Sequence, residues 1–251
     1  MKHNDTELTS APTPPATTAI RSIKQREVPT WNGGVAPILV IEYSIEEFRS
    51  EFFVENGVVC PPNIQRSVRK RQAEFYFGRL AASQALAQYG LSQVEVQSGK
   101  FREPIWPVGI VGSITHQSKF AAAVVLDQQG HAGIGIDIES IIQTSMQDAM
   151  FATVVSATEV KYLRSLTADL TLNTLLSVTF SAKESFFKAT FNTVGRYFDF
   201  DMIEVIHIDL HKRSIAFVIQ QTLCKGLEAG TACFAHFELF DTDTVFTSYS
   251  W

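Results

Sequence analysis

Cysteine is scarce and unpaired in this sequence: Cys60, Cys224 and Cys233 make an odd count and form no CxxC pair. That pattern argues against a disulfide framework or a thiolate zinc site and suits a reduced compartment. No apolar run approaches the roughly 20 residues that cross a bilayer, so no integral membrane segment is expected. Positive charge is not in excess either, with 21 Lys and Arg against 26 Asp and Glu and a formal net charge of −5. A dedicated nucleic-acid binder is therefore not expected. The N-terminus lacks the apolar core of a signal peptide. Its Thr-, Pro- and Ala-rich residues 1–30 read as a mobile tail, with the cytoplasm as the default location. What is present is a chain of 251 residues that is 45% apolar. That is enough for one large domain or two ordinary ones around a substantial core.

After the tail, Val35 to Tyr43 is a β-branched apolar run too short for a helix, which predicts a buried strand. Pro61 and Pro62 mark a helix start, and strong helix formers run from Arg66 to Tyr89 until Gly90 stops them. Gly78 inside that helix costs about 1 kcal/mol relative to Ala, which predicts a close approach to its backbone. Three short runs, GIVGSITH, FAAAVVL and AGIGIDIE, are joined by turn-forming residues and read as an antiparallel meander. Helices are expected from near Ser156 and from about Leu170 to Thr190, followed by strands at Ile203 to Leu210, Ile215 to Ile219 and Thr231 to Leu239. The order predicts an α+β fold of two units.

Chemistry concentrates in Gly133-Ile134-Gly135-Ile136-Asp137-Ile138-Glu139. With a period of two, the three isoleucines face one side, and the glycines, Asp137 and Glu139 face the other, beside open space. Two carboxylates about 7 Å apart repel unless a cation or proton lies between them. Mg²⁺ suits such hard oxygen ligands, and a solvated sheet face is the simpler alternative. Farther on, Glu184 and Lys188 lie four residues apart on one helix face. They form an exposed ion pair, or Glu184 completes a metal site or serves as general base while Lys188 meets a phosphate. Arg71, Arg79 and Arg102, with Ser113, Thr115 and His116 at a strand end, supply cationic and hydroxyl groups. Each has a simple surface reading, and together they suit a flat or phosphorylated ligand.

Four motifs occur in order: Arg102-Glu103-Pro104-x-Trp106-Pro107, Gly112-Ser113-Ile114-Thr115-His116, Gly135-Ile136-Asp137-Ile138-Glu139 and Phe180-Ser181-Ala182-Lys183-Glu184-Ser185-x-x-Lys188-Ala189. With Arg71-x-x-Glu74-Phe75-x-x-Gly78-Arg79, the set resembles the 4′-phosphopantetheinyl transferases of the long, surfactin-synthetase-activating class, in the branch serving enterobactin-type siderophore synthetases. The resemblance implies a pseudo-dimer of two similar α/β halves, residues 31–132 and 133–251, with the active site between them. It implies a monomer that uses Mg²⁺ to transfer the phosphopantetheine arm of coenzyme A to a serine of an acyl, aryl or peptidyl carrier protein. By the same resemblance Asp137, Glu139 and Glu184 hold the metal, Glu184 is the candidate base, and Lys188 and His116 contact coenzyme A phosphates. Arg71, Arg79, Arg102, Ser113 and Thr115 line the nucleotide site. Many relatives have Lys-Pro where this chain has Glu103-Pro104, which shifts the expected cation to Arg102. A Mg²⁺-dependent nucleotide phosphohydrolase and a catalytically silent carrier-binding module are the competing readings.

Overall fold

A computed structural model describes residues 18–251. The first sheet is antiparallel and draws on β1 (Ile20–Pro29), β2 (Val35–Tyr43), β5 (Ile110–His116) and β6 (Phe120–Asp127), in the spatial order β1-β2-β6-β5. Between β2 and β5 the chain forms the short helices α1 (Phe52–Glu55) and α2 (Pro62–Gln65), the long α3 (Arg69–Ala87), and a small ribbon of β3 (Gln97–Ser98) and β4 (Pro104–Ile105). The second sheet holds β7 (Ile134–Ser140), β8 (Ile203–Asp209), β9 (Ser214–Ile219), β10 (Ala232–Leu239) and β11 (Thr244–Ser250), in the order β7-β11-β10-β9-β8. Helices α4 (Gln147–Thr153), α5 (Ala157–Ser165) and α6 (Leu172–Val194) lie between β7 and β8. The fold is α+β. Among the described residues no helix is long and apolar enough to cross a membrane.

Each sheet buries one face under its long helix. Ala73, Tyr76, Phe77 and Leu80 of α3 pack with Leu39, Ile41, Ala121 and Ala123 of the first sheet. Leu175, Val178, Ala182 and Phe186 of α6 pack with Val205, Phe217, Phe237 and Val245 of the second. A third cluster joins the sheets, with Ile134, Ile136, Ile138 and Phe246 against Ile38, Val40, Ala122 and Val124. Helix ends follow local chemistry. Thr171 caps α6 by accepting the Thr174 N–H at 3.2 Å, and Gly195 ends it at φ 71°. Ser156 and Glu159 form a reciprocal capping box on α5.

Four expectations change. Residues 20–29, read as part of the tail, form β1, whose backbone pairs with β2 from Pro29↔Val35 to Ile20↔Tyr43. Residues 1–17 lie outside the described residues. The meander ends after β6, because β7 leaves for the second sheet and pairs with β11 instead. The space beside Gly133 and Gly135 is filled by the α6 backbone, since a Cβ on Gly135 would meet the Ser185 carbonyl and lie 2.6 Å from the Ala189 nitrogen. Pro61 and Pro62 start α2 rather than the long helix, which begins at Arg69. The close approach expected at Gly78 is made by Ile114, whose Cγ2 would stand 3.0 Å from an added Cβ.

Candidate active site

The edge strands β5 and β7 meet at a seam where side-chain hydroxyls take the place of a backbone ladder. Ser113 Oγ accepts the Ile136 N–H at 3.1 Å, and Thr115 Oγ1 accepts the Ile138 N–H at 3.0 Å. Thr115 then donates to Asp137 Oδ1 at 3.2 Å. Sequence reasoning placed both hydroxyls toward a nucleotide. The structure buries them in the seam, with Ser113 also bordering a cavity. The signal that could have found this is their alternation on β5, which aims both at the same neighbour.

Asp137 is 3% exposed. Its Oδ1 also accepts from Lys188 Nζ at 2.6 Å, and Lys188 reaches the Ile136 carbonyl at 3.3 Å. Lys188 thus pairs with the strand rather than with Glu184 on its own helix, because the close packing of α6 on Gly133 and Gly135 carries Nζ to the edge of β7. Burial pulls the Lys188 ammonium down, but Asp137, Glu184 and Glu139 outweigh it and its pKa ends above the ordinary value. Burial, then Asp137, pushes Glu139 up to about 7, with Lys188 opposing and Glu184 adding to the rise. Burial also raises Glu184, against Lys188 and with Asp137.

Among the described residues these carboxylates do not converge as a ready metal cluster. Their chemistry nevertheless fits a divalent cation. Asp137 Oδ2 is buried with no hydrogen-bond partner, and the charges of Asp137 and Glu184 push the Glu139 pKa up, a repulsion that a cation relieves.

The expected cations lie across the seam. One cavity of about 170 Å³ is lined by Arg71, Gly78, Arg79, Arg102, Ile114 and His116, among others. A neighbouring one of about 220 Å³ holds Arg102, Ser113, Phe187, Lys188, Phe191 and Tyr197. Arg102, Pro104 and Ile114 belong to both. Arg79 donates to Ser98 Oγ at 2.7 Å and covers the Phe75 ring, and burial lowers its pKa to about 10. Glu103 supplies no cation and turns its carboxylate back onto the Phe101 N–H at 2.8 Å. Sequence reasoning missed Tyr197, whose hydroxyl donates to the Phe101 carbonyl at 3.1 Å and fastens this loop to the second unit.

Arg71 Nη1 lies 3.1 Å from His116 Nε2. A guanidinium only donates, so Nε2 accepts and the ring is neutral, with its proton on Nδ1. Burial, then Arg71 and Lys188, lowers the His116 pKa to about 3. The folded value lies below the unfolded one, so the unfolded chain takes up a proton that the folded chain refuses. This contribution to stability is complete above about pH 6.5 and is lost as pH falls toward 3. In the free protein we expect the His116 ring resonances to stay flat from pH 8 to 5 by NMR. A midpoint near the ordinary histidine value would contradict the Arg71 contact.

Residues 61–126 match the family model for the 4′-phosphopantetheinyl transferase N-terminal domain, and residues 133–241 match that for the 4′-phosphopantetheinyl transferase superfamily. The chain is 34% identical over 193 residues to enterobactin synthase component D of Escherichia coli K12, covering 71% of this chain and 90% of that protein. The chain belongs to the 4′-phosphopantetheinyl transferases. This transferase is also 37% identical over 146 residues to 4′-phosphopantetheinyl transferase Svp of Streptomyces mobaraensis, 57% of each chain. Over 138 residues it is 34% identical to 4′-phosphopantetheinyl transferase Npt of Nocardia iowensis, 55% of this chain and 60% of that one. Asp137, Glu139, Glu184 and Lys188 of the transferase lie within the superfamily match, and Arg71, Arg79, Arg102, Ser113, Thr115 and His116 within the N-terminal one.

Proposed function

We propose that this transferase moves the 4′-phosphopantetheine arm of coenzyme A onto a serine hydroxyl of an apo acyl, aryl or peptidyl carrier protein and releases adenosine 3′,5′-bisphosphate. The carrying observation is the seam itself. It sets a carboxylate group with an unpartnered buried oxygen beside a cavity that shares Arg102 with the Arg71, Arg79 and His116 cluster. The two helix-covered sheets read as a pseudo-dimer, divided near residue 133, with the active site between its halves. By its similarity to enterobactin synthase component D, the carrier belongs to a siderophore synthetase or another non-ribosomal peptide or polyketide synthetase. A monomer acting in the cytoplasm fits this reading.

Asp137, Glu139 and Glu184 would hold Mg²⁺, which when bound neutralises charge on the diphosphate oxygens. Arg71, Arg79 and Arg102 bind the nucleotide end through its phosphates. Lys188 stays charged and would meet the charge that develops on the 5′-phosphate of the departing adenosine 3′,5′-bisphosphate. A serine hydroxyl is a weak nucleophile at neutral pH and must lose its proton as it attacks. Glu184, whose pKa burial raises, is the candidate acceptor for that proton.

The test incubates the protein with coenzyme A, Mg²⁺ and an apo carrier and weighs the carrier by mass spectrometry. The expected result is a gain of one phosphopantetheine, slowed about a hundredfold by Glu184→Gln. Coenzyme A hydrolysis with an unmodified carrier would point to a phosphohydrolase. Binding to the carrier without either reaction would point to a silent module.

A further inference from the structure

The turn from Gly99 to Glu103 carries a non-glycine residue in the left-handed region, Arg102 at φ 69°. Such a conformation persists only where its surroundings impose it. Here both neighbours are fixed. The Gly99 N–H donates to the Glu103 carbonyl at 2.8 Å, and the Arg102 N–H donates to the Gly99 carbonyl at 3.0 Å. The Glu103 carboxylate accepts the Phe101 N–H and lies where a Cβ on Gly99 would be. Across the cleft, Tyr197 holds the Phe101 carbonyl, and the Phe101 ring meets Phe191 and Tyr197 edge-on at 5.8 and 5.4 Å. With residue 101 pinned to the second unit and residue 103 bonded to its own turn, a left-handed residue 102 joins the two.

The consequence is chemical. The exposed Arg102 guanidinium has no hydrogen-bond or ion-pair partner among the described residues, yet it lines both cavities of the site. A carboxylate at position 103 pointing into those cavities would repel a phosphate. Glu103 does line the second of them, and the bond to the Phe101 N–H draws its carboxylate back into the turn.

We propose that Glu103 is a positioning residue that holds Arg102 as the cation shared by the two cavities, so that the turn recognises the anionic nucleotide of coenzyme A through Arg102. This rests on the transferase reading above. The position that would carry a charge of the wrong sign instead organises the backbone for its neighbour.

The experiment measures steady-state transfer with coenzyme A varied. Arg102→Gln is expected to raise KM for coenzyme A about ten- to a hundredfold with kcat nearly unchanged, as loss of uniform binding requires. Arg102→Gly keeps the left-handed backbone without steric cost. It should show the same rise, which assigns the effect to the cation. Glu103→Ala should raise KM similarly. Glu103→Gln, whose amide oxygen still accepts from Phe101, should restore it. KM for the carrier should not change in any of them. A wild-type KM for coenzyme A in Arg102→Gly or Glu103→Ala would overturn the proposal, as would Glu103→Gln as defective as Glu103→Ala. Failure of the unmodified protein to load any carrier would instead refute the transferase reaction on which the proposal rests.

Discussion

Asp137→Asn is expected to lower kcat/KM for carrier modification about a thousandfold, equivalent to about 4 kcal/mol of transition-state stabilisation. The substitution keeps the size of the side chain. Its amide oxygen can still accept from Lys188 and Thr115, which now hold Oδ1 at 2.6 and 3.2 Å. What changes is the other atom. Oδ2, buried and without a partner, becomes an NH₂ group, a donor where a cation needs an oxygen. The loss should therefore appear in the rate and in the Mg²⁺ dependence, while the circular dichroism spectrum and the melting temperature stay near those of the parent. A rate within about tenfold of the parent, with unchanged Mg²⁺ dependence, would remove Asp137 from the metal site.

Gly135→Ala has the largest expected effect on stability, a loss of about 4 kcal/mol or more by urea denaturation. A Cβ there would overlap the Ser185 carbonyl and stand 2.6 Å from the Ala189 nitrogen, both in the backbone of α6. A side chain can rotate aside, but a helix backbone cannot. Relief would require α6 to lift from β7, which would also draw Lys188 from Asp137. Gly90→Ala is the control. Gly90 sits at φ 74° with nothing within 4 Å of an added Cβ, so only conformational strain applies. That should cost about 1 kcal/mol. If Gly135→Ala cost no more than Gly90→Ala, the close packing of α6 on β7 would be wrong.

Much of the architecture was legible because it is written locally. Helix α6 begins within two residues of its expected start because Thr171 is a competent cap, β2 follows its apolar run, and β8 to β10 follow their alternation. Strand β11 was missed because Thr244, Thr247, Ser248 and Ser250 are polar yet buried, with Thr247 bonded to Ser181 and Ser185 of α6. A hydropathy pattern cannot register a polar side chain whose partner lies 62 or 66 residues away. Strand β1 was hidden by Arg21, Lys24, Arg26 and Glu27, charges that suit an edge strand. The meander failed for another reason, since alternation gives the faces of β7 but not its neighbour.

The site divides along the same line. Asp137, Glu139, Glu184 and Lys188 could be picked out because spacing on one strand and one helix defines a face. Which charge Lys188 meets depends on how closely α6 approaches β7, and that is set by two glycines rather than by any charged residue. Thr115 was expected at the nucleotide rather than on Asp137 and Ile138, and Tyr197 was not singled out, because the partners of each lie far away in the chain.

The hydroxyl bonds at the seam have a mechanical meaning. Ser113 and Thr115 grip the backbone on either side of Asp137, so a force that parts the two sheets acts first on the amides flanking that carboxylate. Opening the cleft and disassembling the reactive centre are then one motion.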